Sequence, residues 1–225
     1  MKTLKKKITH NDEFNGLPVL KQKEGLLVDY LQRIYDTLDL ALDDHPRTMA
    51  VRVDLRLPLL MVMEESNLMK NFIASLDAQI QADLRRKERA GKPKRKCRLR
   101  YVWVKEKDKA LHHHYHLVLL FNKDVYNSLG SFSNRNNLSH KIKTAWCRAL
   151  DTDLDDGCRL VHFPDNCVYH INVNSLRSSS VLDELFRRLS YFAKVRTKQF
   201  GTGNRNFGCS IKKREGIHPL STRYD

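Results

Sequence analysis

Polar and apolar positions alternate most cleanly in "MAVRVDLRLPLL". Val51, Val53, Leu55 and Leu57 fall on one side, and Arg52, Asp54 and Arg56 fall on the other. That period of two predicts a strand, closed by Pro58. Upstream, residues 1–24 are polar and read as a loose arm. From Gly25 to about Asp44, residues Leu27, Tyr30, Leu31, Ile34, Leu38 and Ala41 recur at helical spacing, and Pro46 ends the helix. A second helical period runs from 65 to about 89 through Met69, Phe72, Ile73, Leu76, Ile80 and Leu84. The basic link "RRKERAGKPKRKCR" that follows reads as a phosphate contact or a solvated loop.

"LRYVWVKEK" and "HHYHLVLLFN" read as strands joined by a short polar turn. A helix fits 137–150, and "CRLVHF" and "CVYHINVN" are short strands around Pro164. The last helix spans about Val181 to Lys198, where Ser180 and Asp183 have the shape of a capping box. Helices interspersed with hairpins imply an α+β fold: a central antiparallel β-sheet flanked by helices, with an N-terminal helical extension. The expected divisions are an arm and helix at 1–45, a main domain at 46–210 and a tail at 211–225.

Candidate chemistry sits in "ALHHHYHLVLLFNKD". On a strand, His112, His114 and His116 share a face with Val118 and Leu120, while Tyr115, Leu117 and Leu119 enter the opposite apolar layer. Surface histidines are common where a strand starts, so a metal needs a further ligand. A hairpin brings Glu106 near His114 and His116. Two imidazoles and a carboxylate suit Mg²⁺ or Mn²⁺ acting on a phosphate, with Zn²⁺ left open. On the last helix, Leu182, Leu185, Phe186, Leu189, Phe192 and Ala193 form the apolar stripe. Tyr191 lies off it, at helical spacing from Arg187, Lys194 and Lys198. It is either an exposed tyrosine among solvated charges or a nucleophile on a cationic face.

Charge narrows the partner. The 225 residues carry a formal net charge of +15, which points to a polyanion such as nucleic acid. No apolar run approaches the roughly 18 residues that span a bilayer, and the basic start lacks the apolar stretch of a secretory signal. Five cysteines without a CxxC pair suit a reduced, cytoplasmic protein. The glycine-rich "GTGNRNFGCS" lacks the GK[ST] of a phosphate-binding loop.

His114-Tyr115-His116 followed by "NKD", the upstream Glu106 and the later "YFAK" of Tyr191 to Lys194 together resemble the HUH endonucleases. More narrowly, "HYHLVLLFNKDVYNSLG", "VHFPDN", "DELFRRLSYFAK" and "RNFGCS" resemble the YagK/YfjJ C-terminal domain family of prophage proteins, related to replication proteins of filamentous phages. The resemblance covers about Pro46 to Ser210. It implies a single-tyrosine, HUH-like palm that nicks and joins single-stranded or origin DNA and so starts rolling-circle-type replication. It also implies Glu106, His114 and His116 as ligands of Mg²⁺ or Mn²⁺, Tyr191 as nucleophile and Lys194 as its assistant. Arg187 and Lys198 would support the phosphate and Arg52 and Arg56 would contact DNA, with Asp54 and His112 in secondary roles. With no helicase motif in the chain, a host helicase and polymerase would be partners, in the bacterial cytoplasm. A non-catalytic prophage DNA-binding protein retaining the same fold is the alternative.

Overall fold

The sheet is organised around one long strand. β5 (Arg47–Arg56) pairs antiparallel with β7 (His114–Asn122) over nine residues, and β7 pairs antiparallel with β6 (Arg100–Glu106) on its other side. Short strands complete six: β10 (Phe207–Cys209) on β6, and β8 (Val161–His162) and β9 (Val168–Asn172) both on β5. This computed structural model describes residues 6–58, 67–106, 114–131, 133, 135–175, 177–196 and 205–210.

Both faces of the sheet are covered, which is why β7 is apolar on both sides beyond His116. On one face Val51, Val53 and Leu55 meet Tyr115, Leu117 and Leu119 beneath α2 (Leu68–Arg89) and α3 (Leu138–Leu150). On the other, Ala50, Val102, Val104, Val118 and Leu120 meet α1 (Val28–Asp44) and α5 (Ser178–Ser190). The chain is therefore α+β, with an antiparallel sheet between helical layers. No helix among the described residues is long and apolar enough to cross a membrane.

Several local expectations are corrected. The described part of the N-terminal arm is packed: β1 (Ile8–Thr9) pairs with β4 (Leu26–Leu27), and β2 (Glu13–Phe14) pairs with β3 (Leu17–Pro18). Leu17, Val19 and Leu26 are buried in the α1–α5 core, so a division at residue 45 crosses shared packing. "CRLVHF" contributes only β8, because α4 (Leu154–Cys158) takes up its first residue, with Asp153 Oδ1 accepting from Asp156 N. No capping box forms: α5 starts before Ser180, whose hydroxyl donates to Arg177 O. The tail beyond 210 lies outside the described residues.

The loop after β7 is tied to α2 through Asp83, whose buried carboxylate accepts from Tyr126 Oη at 2.9 Å and pairs with Arg86 and Lys87. Burial pushes its pKa up, but Lys87, Tyr126 and Arg86 outweigh that and hold it at about 2, below the ordinary 3.8. A lowered carboxylate stabilises fully above the unfolded value and loses that contribution as pH falls through the folded one. Asp83→Asn should thus lower the unfolding free energy by about 1–3 kcal/mol at pH 7. In urea titrations the gap from wild type should narrow as pH falls from 4 towards 2.

Candidate metal centre and tyrosine turn

The second face of the sheet changes character at one end. Register places Glu106 on β6 opposite His114 on β7, with Arg56 on β5 beyond it. In the next row on that face, Val104, His116, Asp54 and His162 stand side by side across four strands. The alternation that drives Tyr115 into the opposite core, 2% exposed, turns both histidines towards Glu106.

One ligand atom each from Glu106, His114 and His116 lies within 4.8 Å of the others. The two Nε2 atoms are 3.1 Å apart, and His116 Nε2 is 3.5 Å from Glu106 Oε2. Neighbouring ligands of an octahedral ion with bonds of 2.0–2.1 Å lie about 3 Å apart, and those of tetrahedral zinc about 3.3 Å. The donor set therefore fits a divalent cation without selecting one.

Asp54 prepares the cluster. Its Oδ1 lies 2.6 Å from His116 Nδ1, and donation from Nδ1–H leaves the Nε2 lone pair facing His114 and Glu106. Burial pushes the Asp54 pKa up, yet the His116 hydrogen bond and the Arg52 guanidinium bring it down to about 2. Desolvation, reinforced by His116, pushes the His114 pKa below its ordinary value and favours the neutral, ligating imidazole.

Tyr191 is not on a continuing α-helix. The α5 helix stops at Ser190, and Tyr191–Ala193 form a 3-10 turn. Lys194 then turns extended, with ψ 138°. The cause is packing: Phe192 and Ala193 are fully buried, so the backbone must bend before Lys194. The N-terminal strands hold this bend. Leu20 N donates to Ser190 Oγ at 2.9 Å, Leu26 bridges Lys194, and Val195 N donates to Gly25 O at 3.4 Å. Gly25 has φ +76°, and a Cβ there would lie 2.4 Å from the Ile8 side chain.

This bend puts the Tyr191 ring 5.9 Å from the His116 ring, with Phe192 stacked on His116 at 6.3 Å. Lys194 Nζ sits 2.8 Å from Glu106 Oε2 and 3.5 Å from the Tyr191 ring centroid. Lys194 is buried, joining the carboxylate to the tyrosine, so the expected exposed cationic face does not form around it.

Other expected residues separate. Arg52 is 6% exposed: it bonds Asp54 and Val53 O and lies 4.9 Å over the Phe192 ring. It is a support of the site rather than a DNA contact, because α5 and its turn cover the polar side of β5. Arg56 is exposed in the row of Glu106 and His114. Arg187 is exposed beside a cavity shared with Asp165, Asp183 and Glu184, and is not part of the cluster. His112 and Lys198 lie outside the described residues. Ser190, Gly25 and Phe192 were not legible as site residues, since their roles depend on contacts between distant segments.

Asp54→Asn keeps the shape but weakens the acceptor that orients His116. Mn²⁺ affinity measured by calorimetry should fall about 10–100-fold. Affinity equal to wild type would exclude that orienting role.

A family model described as the YagK/YfjJ C-terminal domain matches residues 9–210. The chain is similar to the uncharacterized protein YagK of Escherichia coli K12, 39% identical over 82% of this chain and 93% of YagK. It is also similar to the uncharacterized protein YfjJ of the same strain, 36% identical over 80% of this chain and 93% of YfjJ. No solved structure matches. On the extent of these matches, the chain belongs to the YagK/YfjJ C-terminal domain family.

Proposed function

We propose that this protein is an HUH-type endonuclease that nicks and rejoins one DNA strand at a specific site, starting rolling-circle-type replication of a phage or mobile element. The observation that carries this reading is the convergence of Glu106, His114 and His116 with Tyr191, whose ring stands 5.9 Å from His116. The net charge of +15 supports a nucleic-acid substrate.

Glu106, His114 and His116 would hold Mg²⁺ or Mn²⁺, which when bound supplies a Lewis acid for a phosphate oxygen. The Tyr191 oxygen attacks phosphorus, the bond to the 3′-oxygen breaks, and that oxygen takes a proton to become a free 3′-hydroxyl. The 5′-phosphate remains esterified to Tyr191, so attack by a 3′-hydroxyl reverses the step and rejoins a strand. Lys194, between Glu106 and Tyr191, carries the charge that can position the incoming phosphate. Arg56, exposed beside the cluster, is placed to meet the backbone. A host helicase and polymerase would open the duplex and extend the 3′-end in the bacterial cytoplasm.

Incubation with single-stranded origin DNA and Mn²⁺ should give a mass-shifted peptide containing Tyr191. Tyr191→Phe should abolish the adduct while leaving salt-sensitive DNA binding nearly unchanged. His114→Ala, His116→Ala and EDTA should each abolish nicking. An adduct persisting in Tyr191→Phe would exclude this nucleophile, and cleavage surviving chelation would exclude the metal. DNA binding without any adduct in wild type would favour a non-catalytic DNA-binding protein.

A further inference from the structure

A cavity of about 580 Å³ opens between α2 and β6 on the sheet face opposite the donor set. Tyr101 and Trp103 line it from β6, and Lys70, Arg98, Lys105 and Arg205 surround them. A second hollow of about 490 Å³ shares Asp77 and Arg98 with the first and continues past Arg85 and Lys96. Together they form one trough along α2 from Met69 to Glu88, roughly 29 Å at the helical rise per residue.

The trough is cationic after its acidic neighbours are counted. Lys94 pairs with Glu88 at 3.5 Å, Arg95 with Asp124 at 3.6 Å and Arg98 with Asp44 at 3.6 Å. Asp77 also lines it. Among the described residues Lys70, Arg85, Lys96 and Arg205 have no acidic partner within ion-pair distance. The aromatic end is fixed: Trp103 meets Tyr115 edge-on at 5.9 Å, and a Cβ on Gly208 would lie 2.5 Å from its indole. That end also adjoins the metal centre, since Lys105 lines the trough and Glu106, the next residue on β6, belongs to the donor set.

We infer that this trough holds the single DNA strand running on from the nicked site, with Tyr101 and Trp103 seating an unstacked base and the basic side chains following the phosphates. The inference rests on the nicking reading. A recessed basic track ending on aromatic rings suits separate bases with exposed faces, whereas a duplex keeps its bases stacked.

The test uses the full-length chain carrying Tyr191→Phe, so that binding is measured without turnover. Probes are a single-stranded oligonucleotide of about 20 nucleotides, longer than the roughly 4–16 that one such binding surface occupies, and a duplex of equal length. Adding Lys70→Glu and Arg205→Glu should weaken single-strand binding at least about tenfold and reduce the salt slope by about 2. Duplex binding should change far less. Tyr101→Leu should cost about tenfold in single-strand affinity with the salt slope unchanged. The single strand should also quench Trp103 emission, the other tryptophan, Trp146, being fully buried. Equal losses for single strand and duplex, no loss for either, or absent quenching would overturn the inference. Nicking activity in the Tyr191-containing protein separates the two readings. Nicking with a silent trough refutes only the trough, and trough effects without nicking refute only the nuclease.

Discussion

A carboxylate only 1% exposed requires a cation, and Glu106 has Lys194 at 2.8 Å. Removing one partner from such a buried pair costs about 3–5 kcal/mol, because the remaining charge stays desolvated. The contact joins the end of β6 to the segment after α5, so it links the sheet's donor set to the turn that carries Tyr191. Packing of Phe192 and Ala193, the bend after Ser190 and the clamp from residues 20–26 all serve to deliver that ammonium. A divalent cation on Glu106 would compete with Lys194 for the same carboxylate. Metal binding and release of Lys194 towards a phosphate are coupled in this arrangement.

Arg52 and Asp54 form a second buried pair next to the first. Asp54 spends its charge on both Arg52 and His116, and Arg52 also spreads over the Phe192 ring. The two pairs balance in charge, while neutral histidines supply lone pairs between them. The site is thereby ordered before any ligand arrives, which reduces the reorganisation that catalysis needs.

Much of this was legible from period-two alternation alone. The strand pattern puts His114 and His116 on one face and Tyr115 on the other, and the hairpin sets Glu106 opposite His114. The same pattern misleads at Arg52, where alternation marks a polar face but cannot show that α5 and Phe192 cover it. At Tyr191 the apolar spacing runs on through Phe192 and Ala193, so a longer helix is expected. The bend arises from tertiary packing and from Lys194 reaching Glu106. The N-terminal arm was unreadable because its two-residue strands are too short for any period to register.

The most direct measurement is anomalous diffraction from crystals soaked in Mn²⁺. The expected result is a single strong peak bonded to Glu106, His114 Nε2 and His116 Nε2, with Lys194 shifted from the carboxylate. Density with no peak between these side chains, and Lys194 still paired to Glu106, would contradict the metal centre on which the proposed chemistry rests.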